Sequence, residues 1–316
     1  MASPVAAQEA EEGLFALLGR LILGAGTAKV AIDTPQAVSV LEQEDLDREQ
    51  AAAVGDLFAS VPGVQATGAS GRAAGQAFNI RGIGNTEQTA SEARIIVTVD
   101  GAPKFFEQYR MGSFFGDLEL FKRVEVLRGP ASSTLYGSGA IGGVVNFTTK
   151  DASDFLAEGK TTALRFKTGL DSNGEGKRGS VIYATRMGEN AEFLGALNYS
   201  TSHDIEDGSG NVLPGTAFDR WSGLAKGTWT FGNDADQSIS LSLSRTDSEL
   251  DDTVVAQTGG SAVAAFGSAD VETVDDTVVL GYSFDPADNA LIDLDVTLSH
   301  TETAVAKDDF SFGFLC

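Results

Sequence analysis

The sequence predicts an α+β domain over residues 31–155, followed by antiparallel β structure over residues 156–316. Two observations predict this order. Strand-like runs in the first part alternate with a helix candidate and glycine turns, whereas apolar and polar residues in the second part alternate with a period of two. No run of about 18 consecutive apolar residues occurs, which excludes an ordinary transmembrane helix.

The composition excludes some partners. Acidic residues outnumber basic residues 45 to 22 in the 316-residue chain, and the formal net charge is -23. No basic stripe is present, so a nucleic-acid partner is not expected. The single cysteine is Cys316, which rules out an internal disulfide and leaves the compartment undecided.

Residues 1–30 are predicted to be a separate N-terminal segment. Val5-Ala6-Ala7 before Gln8 reads like the end of a signal-peptide cleavage site, although the basic and apolar regions that should precede it are missing. We interpret Met1 as a late start or the edge of a fragment. A disordered tail with chance alanines is the alternative.

The first domain is predicted to be a small mixed sheet with helices in its connections. Pro62-Gly63 ends the helix, Asp100-Gly101 closes one strand, and a helix-like segment at 132–136 precedes the last strand. The predicted elements are a strand at 38–41, an acidic helix at 43–60, and strands at 77–81, 95–99, 121–127 and 144–149.

The glycine cluster Gly137-Ser138-Gly139-Ala140-Ile141-Gly142 formally matches the dinucleotide-binding fingerprint. That fingerprint requires a strand before the glycines and a helix after them. Here the order is reversed, so we interpret these glycines as residues that permit positive φ and close backbone contact. A nucleotide-dependent enzyme is therefore disfavoured, and neither catalysis nor a resident cofactor is expected.

Three blocks of this domain carry a family resemblance. They are Phe78-Asn79-Ile80-Arg81-Gly82-Ile83-Gly84, Val97-Thr98-Val99-Asp100-Gly101-Ala102-Pro103, and Val124-Glu125-Val126-Leu127-Arg128-Gly129-Pro130 with Ser132, Leu135-Tyr136-Gly137, Gly139-Ala140, Gly142-Gly143 and Asn146. In order and spacing they resemble the plug domain of TonB-dependent receptors, over roughly residues 30–155. The resemblance implies a plug inside a β-barrel of the bacterial outer membrane, with the TonB energy-transducing protein as a partner.

The resemblance also implies how the plug is held. Arg81 and Arg128 match plug arginines that pair with carboxylates of the barrel wall, and Glu125 lies beside them in the sequence. Such pairs suit a wet lumen, because arginine binds a carboxylate through two hydrogen bonds that can later be broken. The alternative is that both arginines only satisfy loops within the plug.

Residues Leu21, Ile22, Leu23 and Gly24 occupy the place of the TonB box, the segment that the family offers to TonB by strand addition. A short amphipathic helix over 13–23 is the alternative.

Two plug loops are implied to face the outside and contact the substrate. The second loop resembles that of haem and haemoglobin receptors, and its aromatic and arginine side chains suit a flat anionic ligand; burial of the aromatics under the loop is the alternative. The candidate contacts are Asn85, Glu87, Phe105, Phe106, Gln108, Tyr109 and Arg110.

The second half is predicted to form seven strands with one apolar and one polar face. Ile239, Leu241 and Leu243 alternate with serines, for example. This pattern fits lipid on one side and water on the other, although a soluble sandwich shows the same alternation with opposite burial. The predicted strands are 161–169, 178–187, 191–202, 219–231, 237–247, 273–284 and 290–304.

Two further features favour a membrane barrel. Trp221 and Trp229 share one face, about 26 Å apart along a strand, close to the apolar band of roughly 25 Å between aromatic girdles. Short connections at 188–190, 232–236 and 285–289 alternate with longer ones at 170–177, 203–218 and 248–272. A plug needs a barrel of roughly 22 strands, so we interpret the seven strands as an incomplete N-terminal portion of a transmembrane β-barrel.

His203 and His300 are the two histidines, and the strand count predicts both near the extracellular rim. Each is a candidate haem-iron ligand, and an ordinary rim residue is the alternative. The acidic loop with Asp204, Asp207 and Asn211 does not have the spacing of a calcium-binding loop, and no metal site is predicted.

The leading functional hypothesis is TonB-driven uptake of an iron-bearing ligand, haem or a ferric siderophore, through the outer membrane. The expected partners are TonB, outer-membrane lipid, and the ligand itself or a haem-carrying protein. Uptake of vitamin B12 or a carbohydrate is the alternative within this class. A soluble β-rich binding protein is the alternative from another class.

Overall fold

The structure is a computed structural model that describes residues 20–21, 29–30, 37–49, 54–59, 61–67, 75–84, 94–104, 114–129, 139–254, 267–286, 289 and 291–311. Within these ranges, its first part contains a five-stranded, a three-stranded and a two-stranded sheet, and its second part contains a seven-stranded sheet and a separate two-stranded hairpin. Among these residues, no helix is both long enough and apolar enough to cross a membrane.

The N-terminal domain consists of short strands joined by turns and small helices. The helices are Gln43–Glu49 and Val54–Leu57, where one helix over 43–60 was predicted, and two 3-10 turns follow at Leu118–Leu120 and Ala152–Asp154. The strands are β1 Arg20–Leu21, β2 Lys29–Val30, β3 Ala37–Glu42, β4 Val64–Thr67, β5 Ala77–Ile80, β6 Ile83–Gly84, β7 Ile95–Val99, β8 Ala102–Pro103, β9 Phe121–Arg128 and β10 Gly143–Thr149.

The main sheet of this domain has the order β3-β9-β10-β7-β8. β10 runs parallel to β7, and the other neighbouring strands are antiparallel. The aromatic rings of Phe78, Phe114, Phe121 and Phe147 pack together beside it, with Phe114 and Phe147 stacked at 4.2 Å between centroids. The mixed sheet that the sequence predicted is therefore present and has an aromatic core.

Several residues of the family motifs form turns or join strands. The Asn79 side chain accepts a hydrogen bond from the Gly82 amide at 2.9 Å, within the turn after β5. The Asp100 carboxylate accepts one from the Thr149 amide at 2.9 Å, and so joins the turn after β7 to the end of β10. These motif residues are explained by the fold of the domain.

The glycine cluster ends in a close contact between strands. Gly143 has φ +145, and a Cβ atom there would lie 2.0 Å from the Leu127 carbonyl oxygen. Strand β10 begins at this residue, one position before the predicted start. A strand therefore follows the glycines, which is the order on which the dinucleotide interpretation was disfavoured. The preceding segment 131–138 lies outside the described residues.

The C-terminal sheet has the order β11-β12-β13-β16-β17-β18-β19, with every neighbouring pair antiparallel. This confirms the prediction of seven antiparallel strands. With the hairpin β14–β15, the strands are β11 Thr162–Asp171, β12 Gly176–Met187, β13 Ala191–Ser202, β14 Ile205–Glu206, β15 Val212–Leu213, β16 Phe218–Phe231, β17 Gln237–Val254, β18 Ser268–Phe284 and β19 Leu294–Ser311.

Two predicted loop lengths were wrong. Asp171 pairs with Gly176, so the connection predicted at 170–177 is a tight turn. β17 and β18 extend to Val254 and Ser268, so the connection predicted at 248–272 is shorter as well. In both cases strand pairing continues through polar residues, because the backbone can form its ladder without an apolar pattern.

The predicted loop at 203–218 contains the hairpin β14–β15. Asp207 accepts hydrogen bonds from the amides of Ser209 and Asn211, and Asp204 accepts one from the amide of Thr216. The acidic residues of this loop therefore support the hairpin. Among the described residues, no group of three or more His, Cys, Asp or Glu could hold a metal ion.

The two faces of the C-terminal sheet differ in exposure. Phe166 is 70% exposed, and Trp221 and Trp229 are 53% and 52% exposed on the outward face. On the opposite face Ile182, Leu194 and other residues pack against the core of the N-terminal domain. A soluble sandwich would bury its apolar face, so the observed exposure is the one expected for strands with lipid outside.

Candidate functional site

The N-terminal domain rests on the inward, mainly polar face of the C-terminal sheet, and we call this contact the domain–sheet interface. Among the described residues, the ion pairs that cross it form four groups, each supported by hydrogen bonds. In three of them an acidic residue of the domain meets a basic residue of the sheet, and in the fourth the polarity is reversed.

The first group is centred on Asp47 of helix Gln43–Glu49. Its carboxylate lies 2.9 Å from Arg165 Nη2 and 3.0 Å from Lys167 Nζ, two residues that share the inward face of β11. Lys167 Nζ also lies 2.5 Å from Glu119 Oε1. Burial alone would raise the pKa of Asp47, but the hydrogen bonds from Arg165 and Lys167 lower it to about 2. Asp47 is therefore charged at any physiological pH.

The second group joins Asp117 to β16. Ser222 Oγ donates a hydrogen bond of 2.6 Å to Asp117 Oδ2, and Arg220 Nη2 lies 3.5 Å from Asp117 Oδ1. The same carboxylate accepts the Glu119 amide at 3.1 Å and caps the turn Leu118–Leu120. Burial opposes its ionisation, but the charge of Arg220 and the Ser222 hydroxyl hold the pKa of Asp117 below its usual value.

The third group lies at the end of β10. Lys226 Nζ of β16 lies 2.8 Å from Asp151 Oδ1 and donates a hydrogen bond of 3.1 Å to Thr149 Oγ1. Lys122 Nζ, within the domain, lies 2.8 Å from the other oxygen of Asp151. Burial opposes ionisation, but these two ammonium groups lower the pKa of Asp151.

The fourth group has a lysine on the domain and a carboxylate on the sheet. Lys104 Nζ lies 2.8 Å from Asp275 Oδ1 of β18 and donates a hydrogen bond of 2.8 Å to Thr277 Oγ1. Thr303 Oγ1 of β19 donates to Asp275 Oδ1 at 2.6 Å. The Lys104–Asp275 pair is the least exposed of the four, followed by Arg220–Asp117.

The predicted holding residues occupy a different part of the domain. Arg128 donates hydrogen bonds to the Pro62 carbonyl at 2.6 Å and to Ser39 Oγ at 2.7 Å, both in the N-terminal domain. The Arg81 side chain is exposed, and burial together with the nearby charge of Arg81 lowers the pKa of Arg128. A carboxylate of the barrel wall would relieve the repulsion between the two arginines. The pairing of Arg81 and Arg128 with the barrel wall stays a prediction.

Glu125, the third predicted holding residue, is completely buried in the domain. Its Oε1 atom lies 2.7 Å from Arg123 Nη2. Both residues belong to β9, so this ion pair is internal to the domain.

Most of the predicted TonB box and all of the predicted loop contacts lie outside the described residues. Leu21 belongs to β1, where its backbone pairs with Lys29, and Ile22, Leu23 and Gly24 are not described. The same holds for the loop contacts Asn85, Glu87, Phe105, Phe106, Gln108, Tyr109 and Arg110.

The structure does not bring the two histidines together. His203 follows β13, and its amide donates to the Gly174 carbonyl at the end of the sheet. His300 lies within β19, where its side chain is 75% exposed. The two strands are four strand spacings apart in the sheet, about 19 Å, so the histidines cannot share one metal ion.

The sequence did not identify the residues of the domain–sheet interface as contacts between the two parts of the chain. It only placed the basic partners on the sheet within strands. Their signal is a basic residue at an inward position of an alternating strand, as in Arg165 and Lys167 of β11 or Arg220 and Lys226 of β16. Such charges need a partner when another domain covers them.

Comparison with known proteins agrees with this architecture. Residues 30–144 match the family model described as TonB-dependent Receptor Plug Domain. The chain is 29% identical to the "Hemin receptor" of Yersinia enterocolitica over 291 residues, which cover 90% of this chain and 39% of that protein. It is 35% identical to "TonB-dependent heme receptor A" of Haemophilus ducreyi over 194 residues, 60% of this chain and 25% of that protein.

Solved structures show the same fold. The Serratia marcescens hemophore receptor HasR, in complex with its hemophore HasA and heme, superposes with a TM-score of 0.73 at 26% identity, over 87% of this chain and 39% of HasR. The FrpB iron transporter from Neisseria meningitidis gives 0.73 at 25% identity, over 85% of this chain and 41% of FrpB. The chain thus spans about two fifths of these receptors. The chain therefore contains a TonB-dependent receptor plug domain, packed on antiparallel strands with the fold of these receptors, and it resembles haem receptors.

Proposed function

We propose that this chain is part of an outer-membrane receptor that takes up an iron-bearing ligand, haem or a ferric siderophore, with energy supplied through TonB. Ligand binding outside and a pull from TonB inside would break the domain–sheet interface and move the plug. The protein would act by binding and displacement, with no catalytic step and no resident cofactor.

The observation that carries this proposal is the chemistry of the domain–sheet interface. A permanent interface between domains would be mainly apolar, whereas this one includes ion pairs such as Asp47–Arg165 and Asp151–Lys226. Partly exposed ion pairs can exchange their partner for water at a small cost in free energy. The plug is therefore held firmly in place and remains releasable.

Haem is favoured as the ligand by the names of the relatives. The relatives from Yersinia enterocolitica and Haemophilus ducreyi are named as hemin and heme receptors, and HasR was solved with a haem-carrying protein. FrpB is named as an iron transporter, which keeps other iron-bearing ligands in the proposal. None of these names supports vitamin B12 or a carbohydrate.

A chimeric receptor tests the proposal. The chain replaces the aligned segment of the Yersinia enterocolitica hemin receptor, and the chimera is produced in a haem-auxotrophic bacterium without haem receptors of its own. We expect growth on haemin that is lost when tonB is deleted. Growth that persists without TonB, or a chimera that reaches the outer membrane but binds no haemin, would refute the proposal.

Two variants of the chimera test the predicted TonB box. Leu23→Pro removes a backbone donor needed for strand addition, whereas Leu23→Ala keeps that donor and serves as the matched control. We expect the proline variant to bind haemin normally and to support no growth, while the alanine variant grows. Equal growth of the two variants would show that strand addition does not use this residue.

A further inference from the structure

A crevice runs along the domain–sheet interface beside β11, β12, β13 and β16. Its outer part is a cavity at the strand ends near Asp171 and Ser202, and it shares Arg178 and Arg220 with a middle cavity beside Asp117. The middle cavity shares Lys167 with an inner cavity beside Asp47. We call these three adjoining cavities the cationic crevice, after the basic residues that line it: Lys177, Arg178, Arg220, Lys167 and Lys150.

Buried polar atoms without a hydrogen-bond partner are concentrated in the middle part. They are Arg220 Nε, Ser180 Oγ, Ser200 Oγ and Asn198 Oδ1, among the described residues. Asn198 is 3% exposed and Ser200 is 8% exposed. A buried donor without a partner is costly, so the three possible donors, Arg220 Nε and the hydroxyls of Ser180 and Ser200, call for an occupant that accepts hydrogen bonds. Asn198 Oδ1 is an acceptor only.

The charge and size of the crevice restrict that occupant. Its five basic residues face four acidic ones, Asp171, Asp117, Glu119 and Asp47, and the last three already lie beside cations. The crevice is therefore slightly positive in a chain with a net charge of -23. The middle part encloses about 50 Å³, enough for several water molecules or one carboxylate group.

A glycine brings an arginine into the crevice. Gly169 of β11 is paired with Arg178 of β12, and a Cβ atom at residue 169 would lie 2.8 Å from Arg178 Nε. The Arg178 side chain therefore lies across β11 because that position has no side chain of its own.

We propose that the cationic crevice binds a carboxylate group of the transported ligand where the plug meets the first wall strands. Arg220 Nε and the hydroxyls of Ser180 and Ser200 donate hydrogen bonds to the carboxylate, and Arg178 supplies a second positive charge. The inference rests on the proposed function, since it describes a carboxylate-bearing ligand such as a porphyrin. Recognition at the wall would be independent of the iron, which these residues cannot coordinate.

Two iron-free porphyrins test the inference on the purified full chain in detergent. Protoporphyrin IX carries two carboxylates, and its dimethyl ester carries none. We expect the chain to bind the acid at least tenfold more tightly than the ester, measured by quenching of porphyrin fluorescence. Equal affinities, or no binding of either porphyrin, would overturn the proposal and leave water as the occupant.

Variants show which residues distinguish the acid from the ester. Ser180→Ala with Ser200→Ala removes two donors at almost constant volume and should weaken binding of the acid about fivefold to tenfold, without changing binding of the ester. Gly169→Ala, which displaces Arg178 without removing its charge, should act in the same direction. Ser240→Ala with Ser242→Ala is the matched control on β17, outside the crevice, and should change neither affinity. If the control and the crevice variants behave alike, the assignment is wrong.

The two proposals can fail separately. A chimera that grows on haemin through TonB, together with a chain that does not distinguish acid from ester, would refute only the crevice. A chain that prefers the acid, together with a chimera that supports no TonB-dependent growth, would refute only the proposed function.

Discussion

Lys104 of the plug and Asp275 of β18 form an ion pair of 2.8 Å between residues 171 positions apart in the sequence. Only 2% and 6% of the two side chains are exposed. Neither charged group can be solvated by water while the plug is in place, so each needs the other as its partner. This mutual dependence distinguishes the pair from the partly exposed Asp47–Arg165 contact.

Replacing Lys104 with methionine should weaken the plug's attachment strongly. The substitution keeps the apolar stem but leaves the Asp275 charge buried without its partner, which typically costs about 3–5 kcal/mol. Chemical denaturation of the purified chain in detergent measures the loss.

Two further variants separate the charge from the packing. Lys104→Met with Asp275→Leu removes both charges and should recover most of the lost stability. Arg186→Met breaks the Arg186–Glu192 pair inside the sheet, whose side chains are 37% and 24% exposed, and should cost less than about 1 kcal/mol. Equal losses for Lys104→Met and Arg186→Met would contradict the assigned role.

The attachment should weaken in acid through Asp47. Its pKa falls from 3.8 to about 2 at the interface, so its contribution is complete above pH 3.8 and is lost as the pH falls through about 2. For a side chain that is 29% exposed, we expect about 1–2 kcal/mol after allowance for solvent screening.

The Asp47→Asn variant isolates this effect. Its stability deficit should be constant above pH 4 and should shrink towards pH 2, measured by denaturation at each pH. Glu44→Gln changes an exposed residue of the same helix and is the control. A deficit that does not shrink in acid would exclude the ion pairs of Asp47 as its source.

Gly143→Ala should disrupt the plug sheet. The new Cβ atom would meet the Leu127 carbonyl at 2.0 Å, and the backbone conformation at φ +145 is itself unfavourable for alanine, so we expect a loss of at least about 2 kcal/mol. Gly129→Ala also places alanine at a positive φ, but it meets nothing within 4 Å. The difference between their denaturation midpoints measures the clash, and no difference would contradict the close contact of β9 and β10.

The two tryptophans report on the outward face without any mutation. Trp221 and Trp229 are the chain's two tryptophans, and both are about half exposed on the apolar face. We expect brominated detergent to quench their fluorescence strongly and aqueous iodide to quench it weakly. Quenching mainly by iodide would show that this face meets water.

The sequence predicted those features that depend on local patterns. Period-two alternation identified all seven strands of the sheet, because side chains of a strand alternate between two environments. The turn at Asp100-Gly101 was predictable from residues that tolerate positive φ, and Asp100 does adopt φ of 48. Arg81 was predicted as the end of a strand but adopts φ of 55 in the turn after β5. Strand ends were less predictable, as β17 and β18 continue through polar residues.

The contacts of the domain–sheet interface were not predictable, because their partners are distant in sequence. Asp47 and Arg165 lie 118 positions apart, and nothing in their spacing indicates that they meet. Inward-facing charges could have been read as requiring partners. Which residues serve as those partners depends on the orientation of the plug in front of the strands. That orientation is a property of the folded chain.

The apolar contacts of the plug are distributed unevenly around it. Ile182, Ala184, Leu194, Ala196 and Leu224, all on β12, β13 and β16, belong to the same buried cluster as the plug core. Towards β17–β19 the plug instead faces serines, threonines and the Lys104–Asp275 pair. Separation on the first flank would break the ion pairs of Asp47, Asp117 and Asp151 and would also expose apolar surface at about 25 cal/mol per Å². Separation on the second flank would only let water replace polar partners. Under a steady pull, the polar contacts with β17–β19 would therefore break first. The plug would separate from β12 and β13 only afterwards.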